Sequence, residues 1–317
     1  MAAQYVYASA ATESVNSYII EQRDGSDLSL IRTRANAVWC GIADDQLWTL
    51  ERDGALRNLL ALDPADISQA NLNVSVNAAT TRVKTTNDRI YLIRQTGVAS
   101  NDVLQRIDPG DGSVIWTRTG GMGTSPDHAI DDGTHVYVAA LNSPYPLTKI
   151  DADTGTIVSS VNLTIGRPTD LAALNGSVFA SSAVPSRLQK VTTSSMTIAS
   201  TYSFTGSGID AISSYSDDIF YGRGNVFYRF DVASGTEVET LSTTYGHQSL
   251  VTFDDEFYTG GDGGSATTGE LTRIGAVPLT QLDAVNNVAA RNSYGVAAWS
   301  QAAPAGLSGI FVGAVVF

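Results

Sequence analysis

Residues 131–164 read DDGTHVYVAALNSPYPLTKIDADTGTIVSSVNLT. A polar turn leads into a short apolar strand, Val136–Ala140, and then into a second, Leu147–Asp151. The turn Ala152-Asp153-Thr154-Gly155 follows, and a third strand, Ile157–Val161. About four such strands in a unit of roughly 40 residues is the spacing of a β-propeller blade.

The unit recurs along the chain. Copies of its first apolar strand are Tyr5-Val6-Tyr7-Ala8, Leu47-Trp48-Thr49-Leu50, Ile90-Tyr91-Leu92-Ile93, Val178-Phe179-Ala180-Ser181, Ile219-Phe220-Tyr221-Gly222, Phe257-Tyr258-Thr259-Gly260 and Val296-Ala297-Ala298-Trp299. Aromatic and β-branched residues suit a pleated surface packed on both faces. Asp and Asn turns precede most copies, as at Asp44-Asp45, Asn87-Asp88 and Asp217-Asp218, and these residues supply tight-turn conformations. A later turn opens with Asp and ends near Gly at Asp108–Gly112, Asp151–Gly155 and Asp231–Gly235. Asx bonding and a positive φ at the glycine account for that pattern.

The pattern Asp-x-x-(Thr/Ser)-Gly-x-x-(apolar) resembles the pyrroloquinoline-quinone-like and YVTN-type propeller repeats. The run Tyr5–Arg34 looks like the opening of a seven-bladed lactonase-type propeller. The resemblance covers nearly all the chain at repeat level and implies architecture, because many functions share these repeats. Quinone enzymes of this kind carry repeated tryptophans that dock blade to blade. Trp116 matches that position, but neighbouring units have Val158-Ser159-Ser160 and Val238-Glu239-Thr240 there, so no cofactor is expected.

The expected fold is therefore all-β, a single propeller domain over residues 1–317, closed between its N- and C-terminal segments. Six units are complete between about Val38 and Val285, and the first lacks its innermost strand. Val288–Arg291 is the expected source of that strand, which makes seven four-stranded blades. Residues 294–317 then form a closing or docking hairpin; counted as a unit of their own they would make eight.

Hydrophobic residues make up 43% of the chain and charged residues 16%, enough for a core and unlike a disordered composition. The net charge is −13, and Lys84, Lys149 and Lys190 are the only lysines. Phosphate backbones are bound by clustered Lys and Arg, so nucleic acid is not an expected partner. Cys40 sits in the apolar run Ala37-Val38-Trp39-Cys40 and reads as a small core residue. No apolar run is long enough to span a membrane. Tyr5 already lies in strand-like sequence with no basic or apolar leader before it, so no signal peptide is expected. That reading places synthesis in the cytoplasm, with incorporation into a virion or other particle.

No nucleophile elbow or phosphate loop is present, so no catalytic residue and no resident metal are assigned. One constellation carries possible chemistry: Asp127, His128, Asp170, Asp210 and His247, at the start of successive innermost strands. Carboxylates and imidazoles converging on a channel mouth would bind a divalent cation or polarise a lactone carbonyl through one. The plainer reading is that they cap turns and meet channel water. Two extended loops, Thr96–Val103 and Leu141–Pro146, fall at equivalent places and would share a face. The most apolar stretch is Ile310-Phe311-Val312-Gly313-Ala314-Val315-Val316-Phe317, either a closing strand or one that docks on a partner chain by edge pairing.

These observations favour a non-enzymatic interaction platform, a structural or host-recognition part of a larger assembly such as a phage virion or tail. A metal-assisted, lactonase-like hydrolase at the channel is the alternative. A carbohydrate-binding propeller is a third, and would need Tyr145 or Tyr245 exposed on one rim to take a surface glycan.

Overall fold

The structure is a computed structural model. It describes residues 5–11, 18–53, 56–77, 80–244, 246–253, 255–262, 269–286 and 293–299. These residues form 28 strands in seven four-stranded antiparallel sheets, with no helix. Blades 2 to 7 occupy residues 37–76, 80–119, 126–162, 168–203, 209–242 and 249–286. Blade 1 combines Tyr5–Ala11, Tyr18–Asp24 and Leu30–Ala35 with an innermost strand from the other end of the chain, Ser293–Trp299.

That last pairing closes the ring. Tyr5 pairs with Trp299 and Ala8 with Val296 in antiparallel register. Each inner strand touches the next around the axis, and Ser293–Trp299 bridges the inner strands of blades 7 and 2. The closing strand is thus Ser293–Trp299, not Val288–Arg291, which lies outside the described residues. Val296–Trp299 is correspondingly an inner strand and not an eighth copy of the second strand. The reason is edge satisfaction: Tyr5–Ala11 has a free edge facing the axis, and the strand that pairs with it cannot also begin a blade of its own.

Burial follows position in the blade. Second strands are covered on both faces, and Val136–Ala140 is continuously apolar. Outer strands alternate, as in Thr197–Ser203 and Thr236–Ser242, because one face packs and the other meets water. At one position of the second strand every blade buries a large ring: Tyr7, Trp48, Tyr91, Tyr137, Phe179, Phe220 and Tyr258. Cys40 is buried among apolar neighbours of blades 1, 2 and 7.

Opposite each ring stands Gln22, Ala61, Arg106, Lys149, Lys190, Arg229 or Arg273, immediately before a register shift between the third and outer strands. The extra residue of the bulge lies on the outer strand, which bends there. From the position opposite the ring four of the seven side chains donate to a turn carbonyl of the next blade. Gln22 Nε2 meets Pro64 O at 2.7 Å, Arg106 Nη1 meets Ala152 O at 2.9 Å, Lys149 Nζ meets Thr193 O at 2.9 Å, and Arg273 Nη1 meets Ser26 O at 2.7 Å.

The Asp-to-Gly turns adopt the anticipated geometry. Asp151 Oδ1 accepts from the amides of Asp153 and Thr154, and Gly155 takes φ +70°. Trp116 does dock one blade on the next, as the sole representative of its repeat position: its ring lies against Gly155, and Nε1 donates to Ala152 O at 2.8 Å.

Candidate functional site

The inner strands of blades 2 to 6 all begin with a bulge opposite the second strand. The extra residues are Val38, Thr81, Asp127, Thr169 and Asp210. The residues that follow, Trp39, Arg82, His128, Asp170 and Ala211, share one strand position. Asp170 is therefore the counterpart of His128, and Asp127 the counterpart of Asp210. One-residue bulges leave no clear mark in a repeat spacing, so the linear sequence does not make this distinction.

The structure brings three of the five candidates together and adds two cations. Arg82 Nε lies 2.7 Å from Asp127 Oδ1, which also accepts from Gln95 Nε2 at 2.7 Å. Asp127 Oδ2 faces His128 Nε2 at 3.1 Å, and His128 Nδ1 lies 3.9 Å from Asp170 Oδ1. Asp170 Oδ2 accepts from the Ile212 amide of blade 6 at 3.1 Å. Lys84, two residues past Arg82 on the same strand, completes the group, and all five side chains are buried. Lys84 was legible as one of three lysines, but its Arg82-Val83-Lys84 context reads as an ordinary edge until blades are set side by side.

Electrostatics follow from that burial. Desolvation pushes the Asp127 and Asp170 carboxyls up, opposed chiefly by Arg82 and by Lys84 respectively. Desolvation draws Lys84 down, with Asp170 and Asp127 opposing it. His128 falls well below the usual imidazole range because burial and the cations Lys84, Arg82 and Arg167 all disfavour its charged form.

The remaining two candidates stand apart from this network. Asp210 is half-buried, and desolvation raises its carboxyl to about 6. His247 precedes the inner strand of blade 7, with Nε2 2.9 Å from Thr243 Oγ1 and Nδ1 3.0 Å from Thr259 Oγ1. Its ring meets Phe227 edge-on at 5.4 Å, and burial lowers its pKa to about 4. Among the described residues no three His, Cys, Asp or Glu side chains are arranged to hold a metal ion. Two fixed cations inside the acidic group also disfavour a third positive charge there.

The two extended loops do emerge on one face. Asp102 organises it, accepting from Thr96 N at 2.6 Å and Thr96 Oγ1 at 2.9 Å, and from Ser125 N of blade 4's entry at 2.8 Å. Tyr145 is half-buried against the apolar cluster of blades 4 and 5. Tyr245 and Ile310–Phe317 lie outside the described residues.

No known family model matches the chain, and no curated protein sequence does. Solved structures share its fold. The computationally designed protein Ika8 aligns with a TM-score of 0.65 at 12% identity, covering 98% of this chain and 96% of that one. BamB from Moraxella catarrhalis aligns with a TM-score of 0.50 at 15% identity, covering 79% of this chain and 89% of its own. At these identities the likeness is one of propeller architecture.

Proposed function

We propose that this protein is a non-enzymatic interaction platform, a structural or host-recognition component of a larger assembly such as a phage virion or tail. The observation that supports the platform reading lies on the circumference. Leu30 and Ile31 of blade 1, Val114 and Ile115 of blade 3, Val158 of blade 4, Val238 of blade 6 and Leu282 of blade 7 are exposed aliphatic residues on outer strands. All fall near the start of their strands, so they ring the same end of the wheel. Repeated exposed apolar side chains on a rigid scaffold favour contact with other proteins. The buried Asp127 and Asp170 carboxyls are meanwhile offset by Arg82 and Lys84. Ile310, Phe311, Val312, Val315, Val316 and Phe317 would add an edge-pairing segment for a neighbouring chain.

The test is purification of the native protein with whatever it carries, followed by mass spectrometry. A stoichiometric multi-protein particle is expected, with incorporation reduced by Ile31→Lys with Ile115→Lys, or by deletion of residues 310–317. A monomer that turns over lactones would overturn the reading.

A further inference from the structure

Within and beside the Arg82–Asp127–His128–Asp170 network, Lys84 Nζ, His128 Nδ1 and Asp170 Oδ1 are buried without a hydrogen-bond partner. They come from the inner strands of blades 3, 4 and 5, which are successive neighbours around the axis. Their residues are 1%, 3% and 2% exposed, so bulk solvent does not satisfy them. A buried polar atom without a partner is costly, and two acceptors 3.9 Å apart that both feel the charge of Lys84 call for a shared ligand.

The chemistry of the three atoms narrows what that ligand is. Asp127 Oδ1 accepts a hydrogen bond from Gln95 and forms an ion pair with Arg82, so the group acts as a carboxylate. The His128 Nε2 facing its other oxygen at 3.1 Å therefore carries the ring proton. His128 Nδ1 is left as a bare acceptor. Asp170 Oδ1 is a second acceptor 3.9 Å away, too far and of the wrong type for a direct bond. Lys84 Nζ offers only donors. The missing group must donate twice and accept once. A metal cation would face the Lys84 ammonium, and a halide would face two acceptors. Water meets all three requirements, and internal waters ordinarily have two to four such partners.

We propose that Lys84 Nζ, His128 Nδ1 and Asp170 Oδ1 form a binding site for one internal water molecule that ties together the inner strands of blades 3, 4 and 5. Its oxygen accepts from Lys84 and its two protons go to His128 and Asp170. The site is independent of the platform reading, since it lies beneath the surface.

A crystal structure of the full chain at about 1.5 Å or better, with long-wavelength anomalous data, tests this directly. The expected result is a single peak within hydrogen-bond distance of all three atoms, with no anomalous signal. Direct contact of Lys84 Nζ with Asp170 Oδ1 and no intervening peak would overturn it, as would an anomalous peak marking calcium or chloride. Magnetic relaxation dispersion on the wild-type protein supplies a second reading: a slowly exchanging water is expected. Its signal should persist in Asp170→Asn, which keeps an acceptor, and disappear in Lys84→Met. A wild-type signal unchanged in a folded Lys84→Met variant would also count against the site.

Discussion

Arg273 in blade 7 donates Nη1 to the carbonyl of Ser26 in blade 1, at 2.7 Å, across the point where the ring closes. The same guanidinium pairs with Glu256 on the strand behind it, with Nη2 2.5 Å from Oε1. Blade 1 is thus fastened to its neighbour by a side chain as well as by the shared strand Ser293–Trp299. The corresponding residues Gln22, Arg106 and Lys149 do the same between other blades. Three of the basic residues of an acidic chain, Arg106, Lys149 and Arg273, thus act as couplers between wedges.

Replacing couplers should loosen the wheel. Arg273→Met is expected to cost about 1–3 kcal/mol, from the lost hydrogen bond to a charged group and from leaving the largely buried Glu256 carboxylate without its cation. Lys149→Met should cost less than Arg273→Met, because Lys149 has no carboxylate partner among its contacts. Urea denaturation followed by tyrosine and tryptophan fluorescence measures both.

Trp116 offers a sharper test of blade docking. Trp116→Ala removes a buried ring and the bond to Ala152 O, with an expected loss of about 3–5 kcal/mol. Gly155→Ala attacks the same contact from the other side: an added Cβ would meet the indole at 2.8 Å, at a residue already at φ +70°. If the two losses in the double variant simply add, the residues do not share one contact.

His247 should govern part of the acid limb of stability. Its folded pKa of about 4 lies below the unfolded value of 6.5, so the unfolded chain binds the proton first as pH falls. Its contribution is complete above pH 6.5 and is lost as pH falls towards 4, a change of roughly 3 kcal/mol. His247→Gln should flatten the urea midpoint between pH 7 and 4.5. Gly222→Ala should disturb the same ring, since its Cβ would come within 2.1 Å of His247 Cβ.

Asp210 acts with the opposite sign. Burial raises its folded pKa to about 6, above the unfolded 3.8, so its contribution is full below pH 3.8 and lost as pH rises through 6. Asp210→Asn is expected to stabilise the protein at pH 7.5 by about 1–2 kcal/mol after allowing for solvent screening, with no gain at pH 3.5. Equal effects at both pH values would show that the carboxyl is not held in its raised state.

The ion pair of Arg82 and Asp127 should behave asymmetrically. Asp127→Leu leaves a buried guanidinium uncompensated, at a cost of about 3–5 kcal/mol. The double variant Arg82→Met with Asp127→Leu should recover much of that loss. Thermal and urea unfolding of the three variants at pH 7 would decide it.

Much of the architecture was legible along the chain. Alternating apolar strands near a 40-residue step, Asp-to-Gly turns and one large ring per second strand each reflect local needs of a pleated sheet buried on both faces. Such needs are met within a few residues, so they leave their mark in the order of the residues. What depended on closure did not. The inner strand of blade 1 comes from Ser293–Trp299, some 290 residues from its partner Tyr5–Ala11, and only the free edge at the axis selects it. The candidate site divided in the same way. Asp127, His128 and Asp170 could be named from their spacing, but Arg82 and Lys84 joined them only when neighbouring wedges met, and one-residue bulges decided which side chains face one another. Desolvation then set the charges, and desolvation is a property of the assembled ring.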